Sequence, residues 1–294
     1  MKLDRGQFRI SITTSCNMKC VYCHNEGNSC YSTLNVNDID KILSASYDIG
    51  LSEVRLTGGD PLLNPDILNI CKLIHEKYHL QISINTNCIL IDKLLKLIEY
   101  NYISRVIVGL DYYDHDVSKN SPIGLSSKEI LNNILKIKER GIDVSISTVF
   151  NENYEDIEKI VNWGIENFVR VKIIEIEKNE ISTSSSPEYL KMQEKIIEKF
   201  NLLKVVDDIG EVNGYISNFR AVSFFHSLCR LRQCDICKRI QNRITSNGVL
   251  KACLYYSNQD ENLFVGDARE KILKFIDRNV DYHYDKELII NEKK

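Results

Sequence analysis

Three cysteines stand close together near the start of the chain, in the segment CNMKCVYC at residues 16–23. They are Cys16, Cys20 and Cys23, separated by three residues and then by two. Three thiolates can bind three irons of a 4Fe–4S cluster and leave the fourth iron open to another ligand. A tetrahedral structural zinc ion would need a fourth protein ligand, and the adjacent His24 offers one. The spacing therefore predicts an iron–sulfur site with an open iron, with a zinc site as the alternative.

A second group of cysteines lies late in the chain. Cys234, Cys237 and Cys253 form a C-x-x-C…C pattern with Gly248 five residues before the last thiol, and Cys229 precedes them. These thiols predict a second metal or iron–sulfur site, and a zinc ribbon with Cys229 as the fourth ligand is the alternative. If the site is an iron–sulfur cluster, three protein ligands would leave one iron free to bind substrate. Four ligands would make the cluster an electron-transfer or structural group.

The composition narrows the class of protein. The 294 residues carry ten cysteines and a formal net charge of -3, with an isoelectric point near 6.1. This charge gives no basic surface for a nucleic-acid polymer. The first residues have no apolar signal core and no run long enough to span a membrane follows, so we expect a cytoplasmic protein. Clustered cysteines in a reducing compartment indicate metal chemistry rather than disulfides.

Strand and helix patterns alternate along the chain in front of the second cysteine group. The six predicted strands are FRISITT (8–14), EVRLTG (53–58), LQISINT, SRVIVGLD, DVSISTVF and RVKIIEIE, each followed by a helical pattern. Six such units predict an α/β fold with a parallel sheet curled into a partial (β/α)6 TIM barrel, whose chemistry lies at the carboxyl ends of the strands. We predict a catalytic domain over 1–220 and a small cluster domain over 221–294.

Several helix boundaries have local signals. We expect the first helix to run to Gly50, a residue type common just past a helix end. Asn64 should cap the second helix with Pro65 in its first turn. Ser126 and Glu129 form a capping box that opens the fourth helix.

The cysteine triplet resembles the signature of the radical SAM superfamily. The resemblance implies that S-adenosylmethionine chelates the open iron through its amino and carboxylate groups. It further implies that an electron from the cluster, supplied by a reductant such as flavodoxin or ferredoxin, cleaves the cofactor to a 5′-deoxyadenosyl radical that abstracts hydrogen from a substrate. Tyr22, inside the triplet, would contact the adenine.

A second stretch supports this resemblance. The strand EVRLTGGDPLLNP ends in Gly58, Gly59 and Asp60, similar to the GGEP motif that seats the methionine part of S-adenosylmethionine. Glycines allow close backbone approach, and a carboxylate accepts from an ammonium group. Asn85 and Asn87 end the next strand, where members of the superfamily line the cofactor.

The late cysteines resemble the auxiliary-cluster domains called Twitch or SPASM. By this resemblance, Cys234, Cys237 and Cys253 would bind a second 4Fe–4S cluster, with Cys229 as a possible fourth ligand. The protein would then carry two 4Fe–4S clusters and S-adenosylmethionine.

Across most of its length the chain is most similar to the GTP cyclases of molybdenum-cofactor biosynthesis. The resemblance implies that basic residues bind the phosphates of a nucleotide, and Arg9, Arg55, Lys172 and Arg243 occupy the matching positions. Guanidinium groups suit phosphate oxygens. We therefore expect a small-molecule substrate, with a nucleotide favoured.

Several residues of this chain differ from those of the cyclases, and the differences bear on which substrate it binds. Glu53 stands where the cyclases carry a basic residue, and an acid there repels phosphate. Gln241 replaces an arginine for which Arg239 could substitute, Cys88 replaces a glycine, and the chain ends in NEKK rather than two glycines. Gly109 and Ser145 stand where the family uses serine and lysine. These differences favour a related reaction on another substrate over strict GTP cyclisation.

Three hypotheses remain open from the sequence. The first is a two-cluster enzyme that cyclises, rearranges or oxidises a nucleotide or another small metabolite. The second is a radical enzyme that modifies a ribosomally made peptide, although the first strand begins by residue 8 and leaves little room for a leader-binding domain. The third is a non-catalytic iron–sulfur or zinc protein.

Overall fold

A computed structural model gives the fold of the chain. It describes residues 3, 6–20, 22–113, 126–176, 185–208, 212–217, 220–229, 231, 233–234, 236–237, 242–254, 257 and 259–277. Arg239, Gln241 and the terminal NEKK lie outside these described residues.

Twelve strands form one sheet in the described part of the chain. They are β1 (Gln7–Ser11), β2 (Glu53–Thr57), β3 (Gln81–Thr86), β4 (Arg105–Gly109), β5 (Asp143–Phe150), β6 (Arg170–Glu175), β7 (Leu203–Asp208), β8 (Val212–Ser217), β9 (Arg220–Phe225), β10 (Arg243–Ile244), β11 (Val249–Lys251) and β12 (Glu261–Asn262). Their order is β12-β11-β10-β1-β2-β3-β4-β5-β6-β9-β8-β7. Strands β1 to β6 pair in parallel and in chain order, as in a partial (β/α)6 barrel. The predicted α/β class with a parallel sheet is confirmed.

Seven α-helices connect or follow these strands in the described residues. They are α1 (Val36–Ser44), α2 (Ile67–Lys72), α3 (Ile91–Glu99), α4 (Ser127–Glu139), α5 (Tyr154–Glu166), α6 (Pro187–Lys199) and α7 (Ala268–Asp277). A π-helical turn, Leu73–Lys77, continues α2. None of the helices within the described ranges is both long and apolar enough to cross a bilayer.

The two faces of the sheet differ in character because successive residues of a strand point to opposite sides. Ile10, Leu56 and Ile84 are 0% exposed and belong to the hydrophobic core, to which the helices contribute their buried side chains. The alternate residues of the same strands, such as Arg9 and Arg55, are polar. We call this second side, which also carries Ser83, Asn85, Lys172 and Arg243, the polar face.

The helix boundaries agree in part with the local signals. The capping box is confirmed, since the Ser126 side chain accepts from the backbone of Glu129 and the Glu129 side chain accepts in return. The predicted end of α1 is wrong: the helix stops at Ser44, and turns lead to Gly50 at φ +75°.

Asn64 does not open α2 in the predicted way, because the helix begins later, at Ile67. Its side chain joins loops instead, donating through Nδ2 to the carbonyls of Ile12 and Leu34 at 2.8 and 2.9 Å. The Oδ1 atom accepts from the backbone of Asp66 at 2.8 Å.

Late segments of the chain extend the sheet at both sides. Strand β9 pairs in parallel with β6, and β10 pairs in parallel with β1. Strands β7 to β9 form an antiparallel meander that the sequence patterns did not reveal. The predicted boundary between residues 220 and 221 falls inside β9, and the division of the chain into two domains stays a prediction.

Candidate functional site

The glycines after β2 bring two loops together. The backbone N–H of Gly59 donates to the Thr13 carbonyl at 2.8 Å, and that of Asp60 donates to the Ser15 carbonyl at 2.8 Å. A Cβ at Gly58 would lie 2.1 Å from the Thr13 oxygen, and one at Gly59 would lie 2.1 Å from the Ser15 oxygen. The glycines therefore let the GGDP loop lie directly beside the loop that begins the cysteine triplet.

Asp60 makes hydrogen bonds within the protein through both carboxylate oxygens. Its Oδ1 accepts from the Leu62 backbone at 2.9 Å, and its Oδ2 accepts from Thr86 Oγ1 at 2.7 Å and from the Asn87 backbone at 3.0 Å. The side chain is buried, which raises its pKa against the lowering effect of these hydrogen bonds. Asp60 thus ties the carboxyl ends of β2 and β3 together, and its contact with a cofactor ammonium stays a prediction.

The three cysteines of the triplet are free thiols within one loop at the carboxyl end of β1. They are close enough to influence one another's pKa, and burial, followed by the nearby Asp111, raises that of Cys20 to about 11. The backbone N–H of Met18 points at Cys16 Sγ at 3.4 Å, and that of Asn25 points at Cys23 Sγ at the same distance. Hydrogen bonds to sulfur of this kind tune iron–sulfur clusters.

The described residues hold no group of three His, Cys, Asp or Glu side chains arranged around a single metal ion. In a 4Fe–4S cluster each thiolate binds a different iron, so convergence on one point is not required. His24 Nδ1 accepts from the Glu26 backbone at 3.1 Å and caps a short turn, which leaves that nitrogen unavailable as a fourth zinc ligand.

Tyr22 is held by the end of β4. Its hydroxyl donates to Asp111 Oδ2, while Asp111 Oδ1 accepts from the Val149 backbone at 2.7 Å. The Asp111 carbonyl also accepts from Asn153 Nδ2 at 2.7 Å. Burial and the carboxylate raise the pKa of Tyr22 well above its ordinary value, so the phenol stays protonated. The sequence patterns did not single out Asp111, whose partners Tyr22, Val149 and Asn153 are remote from it in sequence.

Polar atoms without a protein partner mark the edge where β1, β2 and β3 end. Thr57 Oγ1, Asn85 Oδ1 and Asn17 Nδ2 are buried and find no hydrogen-bond partner among the described residues. Asn87 Nδ2 donates to Asn17 Oδ1 at 2.6 Å, which joins the third strand end to the cysteine loop. Buried polar atoms are normally paired, so this edge fits a polar ligand.

Cys88 occupies a backbone position that suits glycine. Its φ is +62°, in the left-handed region. The Cys88 carbonyl accepts from Asn133 Nδ2 at 3.1 Å, and the thiol is buried, which raises its pKa to about 12. Cys88 therefore adopts a backbone conformation that favours glycine and adds a protonated core thiol.

A row of arginines crosses the polar face. Arg9 on β1 is in register with Arg55 on β2 and with Arg243 on β10. Glu26, buried in the turn after the triplet, accepts from Arg9 Nη2 at 2.5 Å, and its second oxygen lies 3.7 Å from Arg243 Nε. The sequence patterns missed Glu26, because its partners are remote in sequence and converge only through the sheet.

The other predicted substrate residues lie on the same polar face. Arg55 Nε donates to Ser83 Oγ at 3.4 Å, and Ser83 Oγ donates to Glu53. Burial, followed by the charge of Arg9, lowers the pKa of Arg55 to about 10. Lys172 on β6 holds its ammonium 4.0 Å from the centre of the Phe225 ring.

Glu26 is expected to give the fold a pH-dependent stability. Burial opposes its ionisation, but the charges of Arg9 and Arg243 outweigh burial and lower its pKa from 4.5 to about 2. The carboxylate therefore stabilises the fold at neutral pH and loses that contribution as the pH falls through this interval. As the pH falls from 4.5 to about 2, the difference in unfolding free energy between wild type and E26Q should shrink by on the order of 3 kcal/mol.

Urea unfolding at several pH values would measure this difference. The control is Asp40→Asn, which breaks an exposed pair with Lys77 at 2.6 Å and should change stability much less, because solvent screens such pairs. A difference between wild type and E26Q that does not vary with pH would contradict the ion pair.

The four late cysteines are half-buried and form no disulfide. Burial lowers the pKa of Arg243. Cys229 and Cys237 lie close enough to this arginine to act on its pKa in the opposite direction. Cys234 and Cys237 each have a helical backbone, and Cys253 follows β11. Their joint binding of a cluster stays a prediction.

Comparison with known proteins assigns this chain to a family. The sequence model of the Radical SAM superfamily matches residues 10–164, which contain both the cysteine triplet and the GGDP loop. The chain belongs to the radical SAM superfamily. Membership implies a 4Fe–4S cluster and bound S-adenosylmethionine. The free thiols of the triplet, the unpaired polar atoms and the adjoining glycine loop fit these groups.

Similar proteins cover most of this radical SAM chain. It is 27% identical over 290 residues to a GTP 3',8-cyclase of Clostridium perfringens, covering 92% of this chain and 88% of the cyclase. It is 29% identical over 266 residues to a probable GTP 3',8-cyclase of Methanococcus maripaludis, covering 87% and 86% respectively.

Among solved structures, Streptococcus suis SuiB bound to S-adenosylmethionine has a TM-score of 0.67 at 20% identity, over 90% of this chain and 64% of SuiB. SuiB has also been solved with its precursor peptide SuiA. At this identity the likeness shows a shared fold, and the chain spans just under two thirds of SuiB.

Proposed function

We propose that this radical SAM protein abstracts a hydrogen atom from a nucleotide and thereby cyclises, rearranges or oxidises it. The observation that carries the proposal is the placement of the cysteine loop and the GGDP loop side by side, at the carboxyl ends of strands whose polar face holds a row of arginines. In this proposal the cofactor site and an anion-binding surface would lie on the same strands.

Each group of residues has a distinct part in this proposal. Cys16, Cys20 and Cys23 would hold the 4Fe–4S cluster, which supplies the electron that cleaves S-adenosylmethionine to a 5′-deoxyadenosyl radical. The backbone of Gly58 and Gly59 would seat the methionine moiety.

Two asparagines and a tyrosine complete the proposed cofactor site. Asn85 offers a buried oxygen that finds no partner in the described ranges, and Asn87 braces the cysteine loop. Asp111 fixes the phenol of Tyr22, so that this ring would border the adenine in one orientation.

The substrate would lie against the polar face. Arg55 and Lys172 would contribute cationic contacts, and Arg9 and Arg243 would form the wall of the site next to Glu26. Cys234, Cys237 and Cys253, with Cys229 as a possible fourth ligand, would hold an auxiliary 4Fe–4S cluster near Arg243. Fixed positions of these groups would aim the radical at one C–H bond.

We favour a nucleotide over a peptide as the substrate because of how much of this chain its relatives match. The GTP 3',8-cyclases align with most of this chain, whereas SuiB shares only the fold at 20% identity. Basic residues on the polar face also suit phosphate groups.

The test is anaerobic. The protein would be reconstituted with iron and sulfide, then incubated with S-adenosylmethionine and dithionite, with and without guanine nucleotides. We expect 5′-deoxyadenosine, measured by mass spectrometry, to rise with a nucleotide and to be accompanied by a new nucleotide product. A slow basal signal that no nucleotide changes would contradict the substrate assignment, and no 5′-deoxyadenosine from cluster-loaded protein would contradict the radical reaction itself.

A further inference from the structure

The polar face carries its own anions beside the arginine row. Arg243, Arg9 and Arg55 occupy adjacent strands, while Glu26 lies between the first two and Glu53 lies next to the third. Among the described residues, these three guanidinium groups and two carboxylates sum to one net positive charge. A surface built to hold a tetra-anionic triphosphate would not be expected to neutralise most of its own charge.

Glu26 lies between Arg9 and Arg243, where a phosphate bound by both arginines would have to lie. It is 8% exposed and contacts both Arg9 and Arg243. The turn that presents it is fixed, since Glu26 has a φ of +52° and its N–H donates to His24 Nδ1. A phosphate that displaced the carboxylate would leave a buried anion without its counter-charge, which is strongly unfavourable.

Glu53 has a similar effect on Arg55. Both side chains contact Ser83 Oγ, which donates to the Glu53 carboxylate and accepts from Arg55 Nε at 3.4 Å. A phosphate chain extended along the row toward Arg55 would therefore meet a carboxylate. Like charges at such short range are costly where water is partly excluded.

Donors that remain on the polar face would suit one anionic group. Arg9 Nε is buried and finds no acceptor in the described ranges, so it offers one donor. Lys172 lies on the same face of β6. Arg105 and Arg170, at the starts of their strands, both pair with Asp143 at exposed positions.

We propose that Glu26 and Glu53 act as built-in counter-anions of the arginine row, so that the site takes a nucleoside monophosphate in preference to a triphosphate. This inference rests on the proposed nucleotide function and specifies its substrate class. Glu26 also acts as a positioning residue, because it holds Arg9 and Arg243 in place before the ligand binds.

Isothermal titration calorimetry of the anaerobically reconstituted protein would test the preference directly. The probes are GTP, GMP and guanosine, titrated into wild type, E53Q and E26Q, with D40N as a control that removes an equal charge from the helical side. We expect wild type to bind GMP at least about tenfold more tightly than GTP, and E53Q to reduce that ratio to about threefold or less, because it removes the repelling carboxylate. D40N should keep the wild-type ratio.

The outcomes separate this inference from the function on which it rests. Tighter binding of GTP than GMP by wild type, or an unchanged ratio in E53Q, would overturn the counter-anion proposal and leave the nucleotide assignment standing. Failure of all three probes to bind folded, cluster-loaded protein would overturn the nucleotide assignment, and the inference with it. Because E53Q alters a partly exposed side chain, the test does not depend on the folding of E26Q.

Discussion

Replacement of Cys20 by alanine should reduce 5′-deoxyadenosine formation to background. Its thiol lies within the triplet, where it interacts with both Cys16 and Cys23, and two thiolates cannot hold a 4Fe–4S cluster in the same way. We expect the iron content of the reconstituted variant to fall by about four atoms per chain, the content of one cluster. Iron analysis and mass spectrometry of the nucleoside product would measure the two effects.

Two further variants make this result specific. Cys30→Ala removes an exposed thiol outside the triplet and should keep both iron and activity. Cys237→Ala should also lose about four irons if the late cysteines hold a cluster, yet keep cleavage of S-adenosylmethionine in the absence of substrate. Full activity of C20A would refute the proposed ligand set, and zinc in place of iron lost from C237A would identify the second site as a zinc ribbon.

Substitution of Gly59 by alanine should have the second large effect. The new Cβ would lie 2.1 Å from the Ser15 carbonyl oxygen and 2.7 Å from that of Thr14, so one of the two loops must move. We expect stability to fall by about 1–3 kcal/mol, as for other overpacked sites. The loop movement that relieves this contact should lower the rate of 5′-deoxyadenosine formation by about 100-fold, since the cluster and the cofactor seat would no longer be aligned.

Gly109→Ala is the matched stability control, because in the described part of the chain no atom beyond its sequence neighbours lies within 4 Å of the position where its Cβ would stand. Thermal unfolding would compare the two variants, and S-adenosylmethionine binding to folded G59A would separate a local effect from global unfolding. Normal cofactor affinity in G59A would show that the contact between the two loops is not needed for the site.

Much of the parallel core could be predicted from local patterns. Strands β1 to β6 follow alternating apolar residues, and the capping box at Ser126 fixed the start of α4 correctly. The end of α1 could not be predicted from Gly50, because residues 45–48 form turns before that glycine is reached. Strands as short as β10, with two residues, have no periodicity to detect.

The cofactor side of the candidate site has a stronger local sequence signal than the substrate side. Cys16, Cys20 and Cys23 and the GGDP loop are contiguous motifs, so their chemistry is visible in one stretch of sequence. Glu26 gains its role only from Arg9 and Arg243, which meet it through the pairing of β1 with β10. The structural use of Asp60, which bonds Thr86 and Asn87, likewise depends on the neighbouring strand.

The pairing of β1 with β10 has a consequence for the order of events during synthesis. Asn242 and Gln7, which flank this pairing, are 235 residues apart in the chain, and Ser246 hydrogen-bonds to Asn28 beside the cysteine loop. A ribosome adding about 5–20 residues each second needs on the order of ten seconds or more to cover that distance. The loop with the three thiols emerges early and stays uncovered by its late neighbours throughout that interval. The nascent chain therefore exposes its three predicted cluster ligands for seconds before the late strands can pack beside them.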